Sequence, residues 1–292
     1  MRPKLILTDL DGTLLREDKT LSPINRAALE QAAAQGAEVV VATGRFYGGI
    51  PQELRDLPFL RYFILMNGAK VYDRKEDKVL YRAEIPLATA EQIFDDMESI
   101  DATVDCFQND DGYMDGRYLD NLEHYIRDPE SIRLVRLTRR RCEDFRATVR
   151  AAGSDIQKMQ FYFPDLQERA RVKAWLEERY PEAVLSISMP ENLELNDARA
   201  TKGQGLLALC EALGLDPDGR LWRRHQRHLH AENRRRGGGH GQRRPGDQGG
   251  RRPCHRRQPA GRSGSGAEPV VFLSKQPGGI SLRAVFLSPS QD

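Results

Sequence analysis

Lys4-Leu5-Ile6-Leu7-Thr8-Asp9-Leu10-Asp11-Gly12-Thr13-Leu14-Leu15 joins a short apolar run to two carboxylates spaced one residue apart. The apolar run reads as a buried strand. An acid pair directly after it falls at the strand's C-terminal edge, where open α/β sheets take their ligands. Residues i and i+2 of an extended chain point the same way, so both carboxylates can face one small substrate. Two like charges this close repel, which implies either a bound cation or a division of labour between a nucleophile and a proton carrier. A solvated Asp-x-Asp-Gly turn uses the same residues, and this stretch alone leaves it open.

Around this stretch the chain alternates strand and helix. Ser22-Pro23 places an N-cap before a proline at the first helical position, and the Ala-rich run from Asn25 to Gln35 stops at Gly36. Strand 4–8, helix 23–35, strand 37–43, a helix around 47–56 and a strand near 62–66 predict parallel βαβ units and an α/β, doubly wound, Rossmann-like core. From residue 79 to 195 the pattern changes to an insert with its own elements. Helical periodicity marks Thr89–Ile100 and Leu166–Tyr180, and strand alternation marks Gln157–Phe163 and Val184–Met189. At roughly 115 residues the insert is large enough for its own core. The predicted organisation is a core in two parts, 1–78 and 196–218, an inserted α/β domain over 79–195, and a distinct tail over 219–292.

The chain resembles the haloacid dehalogenase superfamily of phosphohydrolases, and more narrowly its Cof-type branch, subclass IIB. The resemblance rests on Asp9-Leu10-Asp11-Gly12-Thr13, on Val39-Val40-Val41-Ala42-Thr43-Gly44-Arg45, on Met66-Asn67-Gly68-Ala69, and on Lys202-Gly203 opening a helix through Leu206, Leu207, Leu209, Cys210 and Leu213. It implies a Mg²⁺-dependent phosphomonoester hydrolase acting on small phosphorylated metabolites such as sugar phosphates. Asp9 would attack phosphorus and form an aspartyl-phosphate, and Asp11 would protonate the leaving oxygen and then deprotonate water. Thr43, with Gly44, and Lys202 would bind the phosphoryl oxygens, and Arg45 and Asn67 are further candidates. Mg²⁺ would take Asp9 and the backbone carbonyl of Asp11. The insert would be a cap that selects the leaving group, with candidate contacts in Asn109-Asp110-Asp111-Gly112-Tyr113, at Tyr118 and at His124.

Composition breaks abruptly near Asp218. Residues 219–292 hold 16 Lys and Arg against 4 Asp and Glu, 13 of the 25 glycines and five of the six histidines. The first 218 residues carry 29 basic and 39 acidic side chains, a net of −10 hidden inside the whole-chain +2. A run such as Arg234-Arg235-Arg236-Gly237-Gly238-Gly239-His240 has no apolar periodicity and cannot offset chain entropy, so disorder is expected. The family's fourth motif, whose acids complete the Mg²⁺ site, is absent after the Lys202 helix. Yet Trp222 through Asn233 can be encoded so that reading one base later yields Gly-Asp-Gly-Ile-Asn-Asp-Ile-Ser-Met-Leu-Lys, which contains that motif. The tail is therefore read as frame-shifted, and the chain as impaired relative to its family. A natural basic arm binding nucleic acid by counterion release is the alternative.

No apolar run approaches a membrane span, and the start does not read as a secretory signal. Cys106, Cys142, Cys210 and Cys254 lack metal or redox spacing, which fits reduced thiols and a cytoplasmic setting. Neither a membrane nor a nucleic acid is expected as partner, and the oligomeric state stays open. A phosphosugar mutase or phosphotransferase of the same superfamily, and a non-catalytic protein using its basic tail, are the competing function classes.

Overall fold

A computed structural model describes residues 5–16, 18–215, 268–276 and 279–287, the last two segments by their backbone alone. Its first sheet runs in the order β13-β12-β1-β2-β3-β4-β5. β1 (Leu5–Thr8), β2 (Glu38–Ala42) and β3 (Leu60–Leu65) are mutually parallel, whereas β4 (Lys70–Asp73) and β5 (Lys78–Arg82) return antiparallel. The alternation of side chains divides these strands between two cores. Val39, Val41, Phe63 and Leu65 pack with Leu29 of α1 (Pro23–Ala34) and Leu54 of α2 (Gln52–Arg55), while Val40, Ala42, Tyr62 and Ile64 pack with Leu206 and Leu209 of α9 (Lys202–Ala212). Helices therefore cover both faces, as a parallel sheet buried on both sides requires.

Local signals set the helix ends. Ser22 Oγ accepts from Asn25 N at 3.0 Å, and Gly36 ends the α1 connection at φ +90°. The helix expected around 47–56 is instead a single turn, Tyr47–Gly49, and the short α2, because Pro51 cannot continue a helix and stands at the N-terminal boundary of the second piece.

The second sheet has the order β10-β11-β9-β6-β7-β8. Its chain runs through α3 (Leu87–Met97), β6 (Asp105–Gln108), β7 (Asp111–Asp115), α4 (Gly116–Leu119), α5 (Leu122–Tyr125), α6 (Pro129–Thr138), β8 (Arg139–Cys142), α7 (Phe145–Ala152), β9 (Lys158–Tyr162), α8 (Leu166–Arg179), β10 (Ala183–Ser186) and β11 (Asn192–Asp197). One face, with Cys106, Met159, Phe161, Leu193 and Leu195, packs on α3, α7 and α8. The opposite alternation presents Asp105, Lys158, Gln160, Glu194 and Asn196, all buried. The first sheet keeps the chain through Arg82, four residues beyond the expected 78, because β5 pairs with β4 before the chain departs.

The frame-shift reading and the expectation of a disordered tail fall largely on residues outside the described ones, as does Cys254. Two tail segments are described. β12 (Glu268–Gln276) pairs parallel with β1, and β13 (Gly279–Leu287) pairs antiparallel with β12. The free edge of β1 offers unpaired backbone groups that template such pairing. No helix among the described residues is long and apolar enough to cross a membrane.

Candidate active site

The polypeptide leaves β1 at Asp9, whose Oδ1 accepts from Leu10 N at 2.8 Å, and coils tightly through Leu10–Leu14 with Gly12 at φ +71°. Thr8 Oγ donates to the Asp9 carbonyl at 2.9 Å. The two carboxylates, each about two-fifths exposed at 40%, are held by different partners. Lys202 Nζ lies 2.9 Å from Asp9 Oδ2. Asp11 is clasped bidentately by Arg45, with Nε at 2.8 Å from Oδ2 and Nη2 at 2.8 Å from Oδ1, and Lys19 Nζ adds a third donor at 3.0 Å. Burial works to raise the Asp11 pKa, but the bonds and charges of Arg45 and Lys19 outweigh it and hold the carboxyl below the usual carboxylate range.

Arg45 is itself aimed by Gly49, whose carbonyl accepts from Nη1 at 2.7 Å. Thr43 is buried, and its hydroxyl oxygen accepts from Arg45 N at 3.2 Å. The turn Thr43-Gly44-Arg45 is backed by a second turn: Asn67 N donates to the Thr43 carbonyl at 3.0 Å and Met66 N to the Arg45 carbonyl at 3.1 Å. Met66 and Asn67 both sit at positive φ.

Lys202 reaches Asp9 because α9 docks with its first turn against Gly68. A Cβ at Gly68 would lie 2.1 Å from the Thr201 carbonyl oxygen, so only glycine permits the approach. Thr201 caps the helix, its Oγ accepting from Gln204 N at 3.1 Å. Asp9, Asp11, Thr43, Gly44, Arg45, Asn67 and Lys202 thus gather where β1, β2 and β3 end.

Two side chains of the second sheet reach the same place without any sequence motif having marked them. Lys158 Nζ donates to the Gly44 carbonyl at 3.1 Å, and Glu194 Oε2 accepts from Asn67 Nδ2 at 2.8 Å. Burial pushes the Glu194 carboxyl up, yet the nearby Lys158 charge and the bonds from Asn67 and Ser188 prevail and keep it low. The available signal was the alternation of polar Lys158, Gln160, Asn192, Glu194 and Asn196 with apolar Met159, Phe161, Leu193 and Leu195.

The candidate cap contacts make internal contacts of their own. Asn109 and Asp110, both at positive φ, make the tight turn between β6 and β7, and Asp110 pairs with Lys70 of β4. Tyr118 stacks edge-on with Tyr125, and exposed His124 contacts Asp101 at 3.2 Å.

Mg²⁺ demands a near-octahedral set of oxygens, usually with carboxylate support. Among the described residues no three or more His, Cys, Asp and Glu side chains gather to hold a metal. The Asp9 carboxylate and the Asp11 carbonyl remain, while the Asp11 carboxylate is taken by Arg45 and Lys19. The described residues alone do not fit a complete Mg²⁺ site.

Residues 6–220 match the family described as haloacid dehalogenase-like hydrolase. The chain is 29% identical over 229 residues to the phosphatase YwpJ of Bacillus subtilis, covering 73% of this chain and 79% of that one. It is 32% identical over 99 residues to the Bacillus subtilis 5-amino-6-(5-phospho-D-ribitylamino)uracil phosphatase YitU, covering 34% of this chain and only 37% of that relative's length. The fold is shared with a haloacid dehalogenase-like hydrolase from Bacteroides thetaiotaomicron, at TM-score 0.62 and 23% identity, covering 74% of this chain and 79% of that one.

Proposed function

This chain belongs to the haloacid dehalogenase-like hydrolases, and from that premise we propose that it hydrolyses phosphate monoesters of small metabolites with Asp9 as the nucleophile. The observation that carries the proposal is the Asp9–Lys202 contact of 2.9 Å at the sheet edge. A lysine there neutralises charge on an incoming phosphoryl group and leaves the Asp9 oxygen free to attack.

In the first step an Asp9 carboxylate oxygen bonds to phosphorus, the ester P–O bond breaks, and its electron pair leaves with the alcohol oxygen, which takes a proton from Asp11. In the second, water attacks the phosphoryl group, gives its proton to Asp11, and the Asp9–phosphorus bond breaks to release inorganic phosphate. Asp11 must then hold a proton although Arg45 and Lys19 favour its carboxylate. A dianionic substrate drawing those cations to its own oxygens removes the cause of that preference, and burial then favours the protonated acid. The Thr43 hydroxyl and the Gly44 amide contribute donors for the equatorial oxygens.

Small phosphorylated metabolites are the proposed substrates because relatives carry such names, YitU among them. The test is a panel of small phosphate esters, followed by acid quench with a radiolabelled phosphoryl group. Hydroxylamine-sensitive label on the parent and none on Asp9→Asn is the expected result, and turnover unaffected by Asp9→Asn overturns the proposal. Transfer to an added phosphosugar rather than to water would identify a phosphotransferase.

We also propose that the tail is out of frame. The family match ends at residue 220, within two residues of the change in composition. Resequencing the DNA across codons 205–260 tests this: an intact confirmed frame in an expressed gene overturns it.

A further inference from the structure

A buried polar group from the second sheet grips the turn that carries Thr43 and Arg45, and the proposed chemistry makes no use of it. Lys158 and Glu194 are 3.5 Å apart, with side chains only 6% and 9% exposed. Lys158 Nζ donates to the Gly44 carbonyl at 3.1 Å. Glu194 accepts from Asn67 Nδ2 at 2.8 Å and from Ser188 Oγ at 3.0 Å. Asn67 Nδ2 also reaches Asn196 Oδ1 at 3.0 Å, and Asn196 Nδ2 in turn donates to the Met66 carbonyl at 3.2 Å. Apart from the Lys158–Glu194 pair itself and the Ser188 bond, each contact joins β9 or β11 to one of the two mutually bonded turns, 43–45 and 66–67.

Burying this pair costs desolvation that well-packed apolar residues of similar volume would avoid. Adhesion of the two sheets does not require it, since Phe46 and Phe107 already stack with centroids 5.4 Å apart. What a lysine and a glutamate can do, and apolar residues cannot, is hold a particular carbonyl and a particular amide in register. We propose that Lys158 and Glu194 are positioning residues: they hold the Gly44 carbonyl and the Asn67 amide so that Thr43 and Arg45 keep the geometry needed at the phosphoryl group. Seating of the second sheet is thereby coupled to the phosphate-binding turn. The inference rests on the role proposed above for Thr43–Arg45.

The test uses the full chain with Lys158→Met, which keeps side-chain length and removes the donor, with Glu194→Gln, and with Lys158→Arg as the conservative variant. Hydrolysis of 4-nitrophenyl phosphate is measured for kcat and KM separately, and hydrogen exchange is followed by mass spectrometry in peptides covering 42–48 and β1. Misplacement of a positioning element by about 1 Å costs about 10²-fold. Lys158→Met should lose about that factor in kcat with a smaller change in KM, exchange faster over 42–48 but not in β1, and be largely rescued by arginine. Unchanged exchange over 42–48, equal acceleration in β1, or kcat within about twofold of the parent overturns the inference. If the parent itself hydrolyses no ester, the proposed function fails while the exchange comparison still decides the positioning role.

Discussion

Replacing Gly68 with alanine tests whether close docking of α9 is what brings Lys202 to Asp9. A Cβ there would stand 2.1 Å from the Thr201 carbonyl oxygen, 2.3 Å from its carbon and 2.9 Å from Lys202 N. These are backbone atoms and cannot swing aside, so the first turn of α9 must retreat by about 1.3 Å or more to reach ordinary contact. The φ of +115° adds strain for any L side chain, of about 1–3 kcal/mol, and overpacking typically costs about 1–3 kcal/mol more. Unfolding free energy should therefore fall by about 2–6 kcal/mol, and kcat/KM by about 10²-fold as Lys202 draws back from Asp9. Gly36→Ala is the control: its φ is +90° but a Cβ meets nothing within 4 Å, so the conformational cost stands alone. Urea denaturation and ester turnover on both variants give the comparison. Equal losses for the two, with parental turnover in Gly68→Ala, would refute the docking argument.

Asp9→Asn should abolish turnover, by about 10³-fold or more, with little change in unfolding midpoint, because a half-exposed ion pair contributes only about 0–1 kcal/mol; a large stability loss would instead make Asp9 structural. Arg45→Met removes the main support of the Asp11 carboxylate and leaves burial opposed by Lys19 alone, so the pKa rises and the basic limb of the kcat/KM profile, set by loss of the acid's proton, should move to higher pH; an unmoved limb detaches Asp11 from proton transfer. Arg139→Met strands fully buried Asp105, now paired at 2.6 Å, and should cost about 3–5 kcal/mol in denaturant unfolding. Adding Asp105→Leu should recover most of that loss, and failure to recover would place the cost in lost packing of the Arg139 stem.

Local chemistry makes much of this molecule legible in its sequence. The apolar run ending in Asp9, the Ser22 cap with Pro23, and the Thr201 cap before Lys202 each act within a few residues and appear where expected. Alternation also exposed two strands of the insert, β9 and β10, but not β6, β7, β8 or β11. It failed at 47–56, where Pro51 interrupts a helix.

By itself, then, the sequence determined the three parallel strands of the core, the helices α1 and α9, and the residue types at the strands' C-terminal ends, because backbone sterics, capping and burial period operate over short separations. Tertiary structure alone decided which charges meet. Arg45 takes Asp11 across 34 positions, Lys158 finds the Gly44 carbonyl across 114, and Asn67 finds Glu194 across 127. Such pairings depend on how two sheets and a docking helix stack, and a sum of packing constraints over the whole chain leaves no short motif to announce it.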